Sequence, residues 1–80
     1  MSDTIKIRNV FREIFDDEEM IVSDETNRND IEDWDSVTHI KLVLALEEEF
    51  GVRLTLDEVA SVVSVGDFRA SIHKHLERET

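Results

Sequence analysis

Eighty residues leave room for one small core, since a chain of this size buries only about 60–65% of the surface its unfolded form exposes. With 40% hydrophobic and 36% charged residues, the chain is too apolar for a disordered acidic tail and too charged for a membrane span; its longest apolar run, Leu42 to Leu46, is far short of the ~20 residues a bilayer crossing needs. Twenty acids against nine bases, a net charge of −11, argue against nucleic acid and anionic membranes as partners, and the absence of cysteine excludes disulfides, thiolate metal sites and cysteine nucleophiles.

The opening Met-Ser-Asp-Thr-Ile-Lys lacks the basic-then-apolar order of a signal peptide. The expectation is a soluble, cytoplasmic, monomeric single domain over 1–80. Ile7, Val10, Phe11, Ile14 and Phe15 recur at three-and-four spacing, which predicts an amphipathic helix near 4–16. Residues 17–34 then form a long polar connection, well above the usual 2–8 residues between bundle helices. Ile21, Val22, Ile31 and Trp34 are its candidate anchors onto the core. A second helix is predicted over 36–50, with Val37, Ile40, Val43, Leu44, Leu46 and Phe50 as a broad apolar face, Asp35 as N-cap and Gly51 as left-handed C-cap.

Thr55 with Glu58 has the spacing of a capping box before a short helix over 56–62, although the β-branched residues Val59, Val62, Val63 and Val65 would also suit a strand. A last helix over about 65–78 turns Val65, Phe68, Ile72 and Leu76 inward, opened by Ser64 and Asp67. The economical fold is all-α: a four-helix bundle of three main helices and one short one, with a long first loop. Val10, Phe11, Ile14, Val43, Leu46, Phe50, Val62, Phe68 and Ile72 are the expected core.

Few constellations carry chemistry. The acidic runs Asp16–Glu19 and Glu47–Glu49 have no deep pocket to desolvate one carboxyl for general acid work. No register of residues 24–35 supplies the glycine of a calcium loop. His39, His73 and His75 read as exposed or rim histidines, and no metal site is expected.

Asp35-Ser36 alone is ordinary helix-start chemistry. Its context is not: residues 35–52, Asp-Ser-Val followed by an apolar helix ending Ala-Leu-Glu-Glu-Glu-Phe and then Gly-Val, resemble the signature of acyl carrier proteins, and helix order, size and acidity agree across about 75 residues. The resemblance implies that the chain is a non-catalytic carrier. It implies 4′-phosphopantetheine on Ser36, added from coenzyme A by a magnesium-dependent phosphopantetheinyl transferase that recognises the flanking Asp35. Acyl intermediates would ride as thioesters to enzymes of fatty acid, specialised lipid or polyketide biosynthesis. By the same resemblance, basic patches on partner enzymes would dock on Asp35, Val37, Lys41, Glu47 and Glu48, and an acyl chain would shelter around Val43, Leu46, Val62 and Ile72. Where the family often has Gly two residues before the Asp-Ser pair, this chain has Asp33 and then Trp34; Val37 follows the serine instead of Leu, and Thr38 and Lys41 replace frequent acids, which points to a specialised member. The reading from a different class is a small acidic helical adaptor for a basic partner, with Ser36 as a cap residue only.

Overall fold

The computed structural model describes residues 3–78; residues 1–2 and 79–80, and with them the outer limits of the expected domain, lie outside the described residues. Among the described residues there are four helices and no strand: α1 (Asp3–Ile14), α2 (Ser36–Phe50), α3 (Leu56–Ser61) and α4 (Val65–Arg78). The all-α fold of three main helices and a short one is therefore what the chain adopts.

Local chemistry sets the boundaries. Helix α1 stops two residues short of the expected limit because Asp16 takes a left-handed φ of 53°. This turn lets the Asp17 amide reach back to the Arg12 carbonyl at 2.9 Å, satisfying an otherwise orphaned acceptor. Gly51 does the same for α2 at φ 66°, its amide and that of Val52 both donating to the Glu47 carbonyl. Helix α3 carries the full capping box: the Thr55 hydroxyl accepts from the Glu58 amide at 3.1 Å, and the Glu58 carboxylate accepts from the Thr55 amide at 2.8 Å. It ends at Ser61, with Val62 in extended backbone beyond it. At the start of α4 an Asp serves where Glu or Gln is usual, the Asp67 carboxylate accepting from the Ser64 amide and the Ser64 hydroxyl from the Asp67 amide, both at 3.2 Å.

Helix α1 packs against α2 and α4 around a core of Ile7, Val10, Phe11, Trp34, Leu42, Val43, Leu46, Val52, Val62, Val65, Phe68 and Ile72. Two expected core residues, Ile14 and Phe50, lie at its rim and are only partly buried; Lys6 covers the Phe50 ring at 5.5 Å. The inward face of α2 also differs from the expected one. His39, Leu42, Val43 and Leu46 are buried, whereas Val37, Ile40 and Leu44 are 65%, 50% and 60% exposed. A helix with apolar residues on both flanks can bury only the flank its neighbours cover, and here the flank of His39, Leu42, Val43 and Leu46 is the one turned to the core.

The long first loop is stitched to the α3–α4 connection through backbone bonds. The Arg28 amide donates to Val63 at 3.0 Å, the Val65 amide to Thr26 at 2.8 Å and the Gly66 amide to Asp24 at 3.0 Å, with an isolated antiparallel bridge between Asn27 and Ser64. Glycine at 66 permits this close approach, because a side-chain carbon there would crowd the Asp24 carbonyl oxygen at 3.0 Å. A bidentate Arg69–Asp24 pair, at 2.9 and 2.6 Å, closes the seam. Of the expected loop anchors, Trp34 is buried and Val22 and Ile31 are partly so, but Ile21 is 87% exposed. Met20 takes its place on the core, its carbonyl held by Arg12 Nε at 2.9 Å.

Candidate functional site

The candidate site is the junction where the long loop becomes α2. Asp35 sits in extended backbone, and its carboxylate accepts from the Thr38 amide at 2.8 Å while its carbonyl accepts the first helical bond, from the His39 amide at 2.8 Å. That Thr38 amide holds the Asp35 carboxyl below its ordinary range. Ser36 is the first residue of α2 and is exposed, so its hydroxyl stands at the N-terminus of a helix, where the dipole favours an anionic substituent.

Beneath this exposed serine the junction is built on aromatic packing. The Trp34 indole lies in the core, edge-on to Phe11 at 5.3 Å between centroids and stacked on Phe68 at 6.2 Å. Its Nε1–H donates to His39 Nδ1 at 3.0 Å, and His39 Nε2 lies 2.9 Å from the Val59 carbonyl. Since an indole N–H can only donate, Nδ1 must be the acceptor, which leaves the ring proton on Nε2 to donate to Val59. The expectation of an exposed or rim histidine is thus corrected at position 39: the ring is 6% exposed because both its nitrogens find partners inside the fold. The available signal was spacing, since His39 precedes Leu42, Val43 and Leu46 by three, four and seven residues. His73 and His75 are half-buried and pair with Asp3 and Glu58 respectively.

The outer flank of α2 carries the other expected residues. Val37, Ile40, Leu44, Lys41 and Glu48 are exposed and recur at three-and-four spacing, forming one apolar stripe with a cation and an anion set into it. Glu47 is drawn inward: it is half-buried, and its Oε2 accepts from the Leu54 amide at 2.8 Å, fastening the turn after the helix. Among the described residues no group of three or more His, Asp or Glu is placed to hold a metal, and no helix is long and apolar enough to cross a membrane.

Against this geometry, the family profile described as a phosphopantetheine attachment site matches residues 6–72, which takes in all of the junction and most of the bundle. The chain belongs to the phosphopantetheine-attachment family of acyl carrier proteins. An acyl carrier protein of Lactobacillus acidophilus is 32% identical over 71 residues, covering 88% of each chain. One of Acidothermus cellulolyticus is 44% identical over 46 residues, covering 58% of this chain and 55% of that one. In structure, the holo acyl carrier protein from Geobacter metallireducens, solved by solution NMR, superposes with a TM-score of 0.88 at 33% identity over 99% of this chain and 91% of that one.

The carrier's cofactor is 4′-phosphopantetheine, held covalently. The junction suits such a group, since it offers an exposed primary hydroxyl on a helix N-terminus with clear solvent outside it. The arm supplies a thiol, which a chain without cysteine cannot provide itself.

Proposed function

We propose that Ser36 is the attachment residue and that residues 1–80 act as one non-catalytic carrier domain, a substrate of a phosphopantetheinyl transferase rather than an enzyme. The carrier takes acyl groups as thioesters and hands them to partner enzymes in the cytoplasm. The observation that supports this most is the exposed Ser36 at the first position of α2, capped by Asp35, within the stretch the family profile covers. Partners with basic patches dock on the outer flank of α2, where Val37, Ile40 and Leu44 supply apolar contact and Asp35 and Glu48 supply charge. Glu47, committed to Leu54, shapes the end of this surface more than it lends it charge. Lys41 sets a cation at its centre, which favours enzymes of a specialised lipid or polyketide route over those that recognise a uniformly acidic helix.

Intact mass spectrometry after incubation with coenzyme A, magnesium and a broad-specificity transferase tests the reading, with Ser36→Ala as control. The expected result is a gain of one phosphopantetheinyl group, absent from the control. No gain on the folded protein with several transferases would overturn it in favour of an acidic adaptor, for which Ser36→Ala would change little.

A further inference from the structure

An apolar acyl chain on an arm attached at Ser36 has two places to lie: outside, along the exposed flank of α2, or inside, between the helices. The hydrophobic effect favours the inside whenever the helices can part. In this chain a polar crossbar joins α2 to α3 beneath the attachment end of α2. His39, one helical turn after Ser36, bonds across to the Val59 carbonyl of α3 at 2.9 Å, and the Trp34 indole holds its other nitrogen at 3.0 Å. The crossbar is also packed in place, with the His39 ring 5.5 Å from Phe68 and 6.1 Å from Trp34, so it cannot swing aside without unstacking the core. Three elements meet in it: the end of the first loop, α2 and α3.

We propose that His39 is a specificity-determining residue of this carrier: with Trp34 and the Val59 carbonyl it bars the α2–α3 cleft, so the carrier keeps its acyl cargo outside the bundle. Entry of a long apolar chain would break the His39–Val59 bond and leave a buried carbonyl and a buried imidazole N–H facing methylenes, which neither can bond. The residues that would line the shelter, Val43, Leu46, Val62 and Ile72, are instead closed into the core cluster at 5% exposure or less. The cargo this arrangement suits is one that needs no apolar shelter: a short chain, or one polar enough to remain in water.

This inference rests on the carrier reading, because it requires an arm on Ser36. The test loads the full chain from octanoyl-coenzyme A and, separately, acetyl-coenzyme A, and confirms each product by mass. Amide chemical shifts and thermal midpoints are then compared between the two forms. In the wild type, the octanoyl and acetyl forms should melt together, with shift differences confined to the first turn and outer flank of α2. In His39→Ala, the octanoyl form should melt several degrees above the acetyl form, with shift differences spreading to Leu46, Val62 and Ile72 as the chain takes up interior space. A second variant, Trp34→Phe with His39→Ala, removes the indole N–H that the single change leaves without a partner. Octanoyl-dependent stabilisation with interior shifts in the wild type would overturn the proposal, whichever variants fold. A folded variant that still keeps octanoyl outside would overturn the role of His39. Failure of the mass gain itself would strike at the carrier reading and not at the crossbar.

Discussion

Helix α2 presents two apolar flanks of similar composition and opposite fate. The inner one, His39, Leu42, Val43 and Leu46, is buried against the rest of the bundle; the outer one, Val37, Ile40 and Leu44, stands at least half exposed. Hydrophobicity alone does not separate them, for the buried flank contains a histidine and the exposed one contains Leu, Ile and Val. The separation comes from what each residue meets. Inside, even a polar ring is accommodated once Trp34 and the Val59 carbonyl satisfy it. Outside, three apolar side chains in one stripe are left at least half exposed, and a stripe rimmed by charge is the usual mark of a surface that works by docking.

The difference is sharpest in stability. Leu46 is fully buried, so Leu46→Ala should cost about 2–5 kcal/mol, a large share of what so small a domain possesses. Leu44→Ala, two residues away on the exposed flank, should change stability by less than about 0.5 kcal/mol. Urea titration of both variants checks the pair. Equal losses would mean that the two flanks are not divided as described.

A smaller effect concerns α3, which the inner flank reaches through His39. Helix α3 is tied in turn to α4 by Glu58, whose carboxylate accepts from the Thr55 amide, lies 2.6 Å from His75 Nε2 and stands 4.0 Å from Lys74 Nζ. The His75 bond, followed by the Thr55 amide, pushes the Glu58 carboxyl from 4.5 down to about 2. The folded state therefore binds fewer protons than the unfolded one between these values. The stability from Glu58 is fully present above about pH 4.5 and is lost as the pH falls towards 2. Glu58→Gln keeps an amide oxygen for the capping box but loses the titration, so the drop in urea midpoint between pH 5 and pH 3 should be shallower in the variant than in the wild type. An identical drop would show that the carboxylate is not what anchors α3.

What could be read from the chain follows the range of the interactions involved. Asp35, Gly51 and the Thr55–Glu58 pair act within three or four residues of themselves, and the helix boundaries they imply are the ones observed. The inward flank of α2 was legible only in part: Val43 and Leu46 were expected in the core and are buried, but Val37, Ile40 and Leu44 recur on the same broad face, and only packing with the other elements decides between them. His39 was missed for the same reason: its burial depends on an indole five residues before it and a carbonyl twenty residues after it. The left-handed Asp16 that shortens α1 carries no glycine to announce it. Ser36 was legible as a candidate through the resemblance of its surroundings, while its exposure at the first turn of α2 is a property of the folded chain.

The smallest effect on the fold should come from Lys41, at the centre of the exposed stripe. Lys41→Glu replaces one solvated charge by another, so the urea midpoint should move by no more than about 0.5 kcal/mol equivalent. On the proposed docking surface the same change joins Asp35 and Glu48 in one acidic field, which should raise the rate of encounter with a basic enzyme. The transferase provides the assay. Its kcat/KM for Lys41→Glu should exceed that for the wild type at low ionic strength, and the advantage should shrink as salt screens the added charge. A variant with unchanged kcat/KM at every salt concentration would place docking elsewhere on the molecule, and the exposed flank of α2 would then need another partner to account for it.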